Sequence, residues 1–215
     1  KKNNIKLNDI FSRNENINIL SLARIFLFGA RDIWFVVAVP LYLYSIGSEF
    51  LFESRLSTFL FVGAFMALWV ILYGFFQALA PLILKKYQKN YEHISVAAFK
   101  WGLYSVPIPL ILSCLLYFNS NLNTAVIISV ILGLFVFGFI FAINSSIHSY
   151  LILALSSKDK VAMDVGFYYS SNAVGRLIGT LLSGILYQIG GVSLCLFCTS
   201  IFLIFSYFSI KRLSQ

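Results

Sequence analysis

The chain has 215 residues, of which 60% are hydrophobic and only 11% are charged, about half the charged share that is usual in soluble domains. Six apolar runs are long enough to cross the ~30 Å hydrocarbon core as helices, whereas the strands of a membrane barrel are shorter and alternate in polarity. The composition therefore predicts an all-α, polytopic membrane protein with six transmembrane helices.

The predicted spans are 17–45, 57–83, 94–117, 124–154, 161–188 and 190–210. Residues 1–16 are polar and basic and lack the apolar core of a signal peptide. This segment is typical of an internal loop, so we expect the chain to be part of a longer protein. The expected organisation is a cytoplasmic lead-in (1–16), a six-helix domain (17–210) and a cytoplasmic tail (211–215).

The net charge of +8 predicts orientation rather than a nucleic-acid partner. With the first residue in the cytoplasm, the external loops carry only Arg55, beside Glu49 and Glu53. Short cytoplasmic loops are enriched in Lys and Arg, so we expect a multi-pass protein of the inner (plasma) membrane with both ends of this chain in the cytoplasm. The basic residues on the predicted cytoplasmic side are Lys1, Lys2, Lys6, Arg13, Lys85, Lys86, Lys89, Lys158, Lys160, Lys211 and Arg212.

Ionisable side chains inside the apolar runs are the strongest functional signal. A charge at the bilayer centre costs from about 3 to over 10 kcal/mol, and it is retained where it faces a bundle interior or a wet cavity. Most of these groups are cations, which favours a pathway for an anion. They are Arg24, Arg31, Asp32, His148, Asp164 and Arg176.

The first predicted helix carries three of these charges. Arg24 and Arg31 are seven residues apart and share a helix face, and Arg31 and Asp32 lie near the middle of the span. These two residues form either a structural ion pair or a substrate and coupling site in an aqueous cavity. Arg24 is nearer the cytoplasmic end, so we expect it to extend towards the surface.

The second and third helices offer weaker candidates. Gln77 is expected either to donate to an anion or to bond a neighbouring helix. Lys100 lies close enough to the cytoplasmic surface to reach it. Pro107 and Pro109 should kink the third helix, because each lacks a backbone N–H donor.

The fourth helix ends with a polar face on which Asn144 and His148 are four residues apart, with Ser145 beside them. An imidazole titrates near neutral pH, so His148 either binds an anion when protonated, passes a proton, or forms a neutral hydrogen bond to a neighbouring Ser.

The fifth helix combines polar side chains with a small-residue face. Arg176 lies near the midplane, with Tyr168 two turns before it. Gly175 and Gly179 form a GxxxG step, which Gly184 extends, and such steps allow close helix packing in lipid. The sixth helix has no charged side chain within its span and is expected to be a lipid-facing wall.

Cysteine chemistry is not expected. Cys195 and Cys198 have the spacing of a metal or redox motif, but their surroundings are apolar, without a nearby His or acidic residue. Together with Cys114 they are interpreted as small apolar filling residues. No cofactor or metal is predicted.

Four segments carry a resemblance to a known family: 22–37, 67–81, 144–154 and 165–184. These segments resemble the ArsJ family, organoarsenical efflux permeases of the major facilitator superfamily. The resemblance extends over nearly the whole chain and aligns it with the family's C-terminal six helices. The loop motif usual in the superfamily is reduced here to Gly74, Pro81 and the Lys85–Lys86 pair, which puts its gating role in doubt.

The resemblance implies a twelve-helix transporter whose second half is this chain and whose missing partner is the N-terminal six-helix half. It implies export of 1-arseno-3-phosphoglycerate, produced by a dehydrogenase that uses arsenate in place of phosphate. In the superfamily the first and fourth helices of each half line the central cavity. The resemblance therefore implies that the wall of this cavity includes Arg31, Asp32, Asn144 and His148. The expected substrate-binding residues are Arg31, Gln77, Asn144, His148, Tyr168 and Arg176, with Asp32 or His148 for proton coupling.

Other functions remain open. A related transporter for an organic anion, sugar phosphate or drug would use the same cationic cavity. An intramembrane hydrolase would need a nucleophile turn of the GxSxG type, which the sequence around Ser183 does not have. A structural subunit would not need an Arg at the midplane. No nucleotide-binding GxxxxGK[ST] loop occurs, so a proton gradient is the expected energy source.

Overall fold

The computed structural model describes residues 14–87, 91–119, 123–156 and 161–213, and within these ranges it is all-helical, without strands. The all-α class is therefore confirmed. Of the basic residues expected on the cytoplasmic side, several lie outside the described ranges: Lys1, Lys2, Lys6, Arg13, Lys89, Lys158 and Lys160. The helices are α1 (Glu15–Phe35), α2 (Ala38–Ile46), α3 (Arg55–Ile83), α4 (Tyr91–Ser105), α5 (Pro107–Phe118), α6 (Thr124–Leu155) and α7 (Val161–Leu213), with a π-helical turn at Gly47–Leu51.

The segment predicted as one span, 17–45, is not a single unbroken helix, because the helix breaks between α1 and α2. Val37 has φ −121° and ψ −48°, outside helical geometry. The cause lies in Pro40, which cannot donate to the carbonyl of Val36 and would clash with it in an unbroken helix. The freed N–H of Ala38 instead donates to Ser183 Oγ on α7, at 3.2 Å.

The segment predicted at 94–117 is interrupted at one residue, Val106, directly before the first of the two prolines expected to kink it. α4 ends at Ser105 and α5 begins at Pro107, where the missing N–H of proline costs least. By contrast, α6 runs unbroken over the predicted range. It begins after Asn123, whose side chain accepts from the N–H of Val126 at 2.9 Å and so caps the helix.

The two spans predicted at 161–188 and 190–210 meet within α7. Gly190 and Gly191 have non-helical backbone angles, and Gly191 has φ +63°, a region that favours glycine. We call residues 161–189 the first arm of α7 and residues 192–213 its second arm.

The contact between α1 and α7 is the most extensive contact between any two of the described helices. On the first arm, a Cβ added at Gly175 would lie 2.3 Å from the carbonyl oxygen of Ile25, and one at Gly179 would lie 2.5 Å from that of Gly29. These two glycines are what allow the helices to touch. Gly184 does not belong to this contact, because a Cβ there would meet nothing within 4 Å.

The second arm of α7 is bound to the same helix by hydroxyl groups. Thr199 Oγ1 lies 3.1 Å from the carbonyl oxygen of Ala30 on α1 and 2.9 Å from that of Cys195 on its own helix, and its single proton is shared between them. Ser206 Oγ donates to the carbonyl of Ala23 at 2.9 Å. Phe197 and Phe208 on this arm are exposed. The prediction that the helix at 190–210 is a lipid-facing wall is therefore incomplete, because one face of this arm packs closely against α1.

Four helical segments are long and apolar enough to cross a membrane by length and composition, among the residues that the structure describes: Arg55–Ile83, Tyr91–Phe118, Thr124–Leu155 and Val161–Leu213. α1 is not among them because Arg24, Arg31 and Asp32 lie within its 21 residues. The chain is thus compatible with a membrane protein, and two of the charged residues of α1, Arg24 and Asp32, are buried among its helices.

Candidate functional site

The structure brings together three charged residues predicted from the sequence. Asp32 accepts a hydrogen bond from Arg31 Nε at 2.6 Å through Oδ1, and from Arg176 Nε at 3.1 Å through Oδ2. Asp32 is 1% exposed, the Arg31 side chain 13% and the Arg176 side chain 56%. We call these three residues the arginine–aspartate cluster; its net formal charge is one positive unit.

Close packing of α1 on α7 is what forms this cluster. Gly175 and Gly179 bring the first arm of α7 against the α1 backbone, and a Cβ at Gly179 would lie only 3.0 Å from Asp32 Cβ. Arg176 follows Gly175 directly, so it meets Asp32 across the contact. Removing the partner of a buried carboxylate costs about 3–5 kcal/mol, so Asp32 depends on Arg31, the more buried of its two partners.

A shallow cleft of about 270 Å³ opens beside the cluster, lined by Asp32, Ala173, Arg176, Leu177 and Thr180. Its volume is slightly below that of most small-molecule sites, which enclose about 300–1,000 Å³. The cleft has one wall of protein and opens to the surface. It offers a ligand a guanidinium edge and a threonine hydroxyl on one side only.

A second polar cluster surrounds Arg24. Its guanidinium donates to the carbonyl oxygen and to Oγ of Ser145 on α6, both at 3.1 Å. Ser145 Oγ also lies 3.4 Å from Tyr73 OH and 3.4 Å from Gln77 Nε2 on α3, and Gln77 Nε2 donates to Tyr73 OH at 2.8 Å. We call Arg24, Tyr73, Gln77 and Ser145 the Arg24 cluster.

Arg24 is 4% exposed and does not reach the surface as the sequence had suggested. Its guanidinium carbon lies 3.9 Å from the centre of the Phe28 ring and 4.9 Å from that of Tyr168. Each such contact is worth about 0.5–2 kcal/mol. Tyr168, predicted to bind substrate, therefore packs against this buried cation.

Phe28 links the two clusters. Its ring lies under Arg24 and also under Arg31, whose guanidinium carbon is 4.9 Å from the ring centre. Both arginines therefore lie on the same face of α1, as their spacing predicts. Phe28 was not recognised from the sequence, although its spacing from Arg24 (four residues) and Arg31 (three) is that of helical neighbours.

Asn144 and His148 are buried on α6 and do not line the cleft. Asn144 Oδ1 and His148 Nδ1 have no hydrogen-bond partner within the described ranges. Gln77 joins the Arg24 cluster rather than the cleft. Lys100 is exposed on α4, and Asp164 is buried in the first turn of α7, where a negative charge is favoured by the helix dipole.

The cysteines form no evident site. All three are free, and the Cys195 thiol lies 3.7 Å from the carbonyl of Ser183. Among the described residues, no group of three or more His, Cys, Asp or Glu side chains could hold a metal ion.

The chain matches none of the known protein-family models, and no curated protein matches it.

Proposed function

We propose that the chain is a membrane transporter for a small organic anion, with the arginine–aspartate cluster as its binding site. The supporting observation is that Asp32 occupies two guanidinium groups beside an open cleft. Arginine binds tetrahedral oxyanions and carboxylates through paired N–H donors. An incoming anion would compete with Asp32 for Arg31 and Arg176 and take over their hydrogen bonds.

The architecture proposed is one half of a major facilitator bundle with six crossings. The crossings are 15–46, 55–83, 91–118, 124–155, 161–189 and 192–213, so that the broken α1–α2 pair counts as one and the two arms of α7 as two. The one-sided cleft fits this proposal, because a second six-helix half would supply the opposite wall. Transporters of this kind bind substrate between their halves near the bilayer midplane.

Orientation can be measured on described residues. In a variant without its native cysteines, Lys86→Cys should react with an impermeant thiol reagent only after the cell is opened, whereas Ser48→Cys should react in intact cells. Both side chains are exposed, so access to the reagent depends on the side of the membrane. Labelling of Lys86→Cys in intact cells, with Ser48→Cys silent, would reverse the proposed orientation.

The substrate proposed is 1-arseno-3-phosphoglycerate, and the physiological role is arsenate detoxification in the inner membrane. The resemblance to the ArsJ family carries this choice, and the arginines agree with the negative charge of the compound. A pentavalent arsenate ester needs no thiol ligand, in keeping with buried or scattered cysteines. The second candidate is another organic anion, such as a sugar phosphate, which the same guanidinium groups would bind.

Uptake into inverted vesicles tests the function directly. Vesicles containing the complete transporter are supplied with arsenate, glyceraldehyde 3-phosphate, NAD⁺ and the dehydrogenase, so that the aldehyde is oxidised by NAD⁺ and the ester forms outside them. We expect arsenic to accumulate inside, and far less when the dehydrogenase or the transporter is omitted. Accumulation of a sugar phosphate but not of the arsenic compound would select the second candidate, and accumulation of neither would refute an anion transporter.

Coupling to protons is proposed through Asp32. Substrate that engages Arg31 would weaken its ion pair with Asp32, so that occupancy of the site and the protonation state of the Asp32 carboxylate become linked. We expect Asp32→Asn to stop accumulation driven by an imposed pH gradient, while exchange of labelled for unlabelled substrate continues. If Asp32→Asn still accumulates substrate with the gradient, Asp32 is a structural partner of the arginines, and His148 becomes the proton carrier to test.

A further inference from the structure

Arg24 is a buried cation whose hydrogen-bond partners are neutral. Arg31 and Arg176 share the carboxylate of Asp32, whereas among the described residues Arg24 donates only to the carbonyl and hydroxyl oxygens of Ser145. In the part of the chain that the structure describes, no carboxylate lies within ion-pair distance of Arg24. Removing a guanidinium from water without a counter-ion is costly, and the Phe28 and Tyr168 rings recover only part of that cost.

The hydroxyl oxygen of Ser145 is approached by more donor groups than it can accept from. Three groups from three residues, the Arg24 guanidinium, the Tyr73 hydroxyl and the Gln77 amide, converge on the single hydroxyl oxygen of Ser145. That oxygen has two lone pairs, and two of the three contacts are long, at 3.4 Å. Arg24 Nε is buried and has no acceptor within the described ranges. An additional acceptor with negative charge would satisfy these donors.

We propose that the Arg24 cluster binds a small inorganic anion of the size of chloride, at a site separate from the cleft. Arg24 supplies the charge, and the Tyr73 and Gln77 groups supply neutral donors. Arg31, on the same face of α1, adds to the positive potential. A bulky organic anion does not suit the site, because Phe28 and Tyr168 enclose the guanidinium on its faces.

The bound ion would stabilise the bundle by joining three helices. Arg24 belongs to α1, Tyr73 and Gln77 to α3, and Ser145 to α6. A ligand that binds only the folded state raises its stability by mass action. This inference does not depend on transport, so it can hold even if the proposed substrate is wrong.

The test is thermal unfolding of the purified protein in detergent at constant ionic strength, with chloride exchanged for gluconate. We expect the melting temperature to rise saturably with chloride, by about 5–10 °C at concentrations 100-fold above the dissociation constant. Arg24→Gln should lose this response. Lys100→Gln, which removes an exposed positive charge on α4, should retain it.

A second variant keeps the test decisive if Arg24→Gln does not fold. Gln77→Met keeps the volume of the half-buried side chain and removes one donor, so it should shift the chloride titration to about tenfold higher concentration. The proposal is refuted if the native protein shows no chloride dependence. The proposal is also refuted if the chloride titration is unchanged in both Arg24→Gln and Gln77→Met. If Arg24→Gln does not fold, an unchanged titration in Gln77→Met is sufficient to refute it.

Discussion

Alanine at Arg31 and at Arg176 together should abolish anion transport while the protein remains in the membrane. Each guanidinium offers an anion charge-assisted hydrogen bonds, and the loss of one is worth about 1.5–3 kcal/mol, so each single variant should lose at least roughly ten- to 150-fold in transport efficiency. Lysine at either position keeps the charge but loses the planar fork, and we expect an intermediate loss. The measurement is initial uptake rate against substrate concentration in inverted vesicles.

The two single variants should differ in stability. The Arg31 side chain is 13% exposed and that of Arg176 is 56% exposed, and exposed ion pairs contribute about 0–1 kcal/mol. Arg31→Ala should therefore lower the melting temperature more than Arg176→Ala. Lys100→Ala, an exposed cation away from the cleft, serves as the control and should transport normally. Normal transport by a well-expressed double alanine variant would show that the cluster is not the binding site.

Gly175→Ala should strongly reduce the yield and thermal stability of the folded protein. The new methyl group would lie 2.3 Å from the carbonyl oxygen of Ile25, a backbone atom that cannot turn aside. α1 and the first arm of α7 would have to separate, and overpacking of this kind costs about 1–3 kcal/mol or more. Separation would also draw Arg176 away from Asp32, so the surviving fraction should transport poorly.

Gly184→Ala is the matched control on the same helix. A methyl group there meets nothing within 4 Å, and alanine favours a helix by up to about 1 kcal/mol over glycine. We expect this variant to be as stable as the native protein or slightly more stable, as measured by gel-filtration yield and melting temperature in detergent. Equal damage from both substitutions would mean that helix contact is not the role of Gly175.

Local chemistry explains which features of the fold could be predicted. The bounds of α6 follow from a long apolar run and the Asn123 cap, and the break between α4 and α5 follows from Pro107. The break before α2 has a comparable signal in Pro40, but that residue lies in an apolar run whose composition alone suggested a continuous helix. Composition indicates that a segment is apolar, whereas a single missing N–H decides where its helix ends.

The candidate site also combines features that the sequence predicts with features that it does not. Charges in apolar helices were visible in the sequence, and Gly175 and Gly179 were recognised as a packing face. That Asp32 binds Arg176, 144 residues further along the chain, depends on which helix the glycine face meets, and spacing within one segment cannot determine this. For the same reason Ser145 and Tyr73 gave no individual sign that they gather around Arg24.

The enclosure of α1 by both arms of α7 also bears on biogenesis. α1 leaves the ribosome well before α7, yet Arg176, Thr199 and Ser206 all belong to α7. Until α7 is synthesised, α1 carries charges that each cost about 2.5–3.5 kcal/mol at the centre of a translocon-inserted helix. In the proposed membrane protein, nascent α1 should therefore remain at the translocon or the membrane interface until α7 is made, so that assembly of this bundle closes around α1 rather than starting from it.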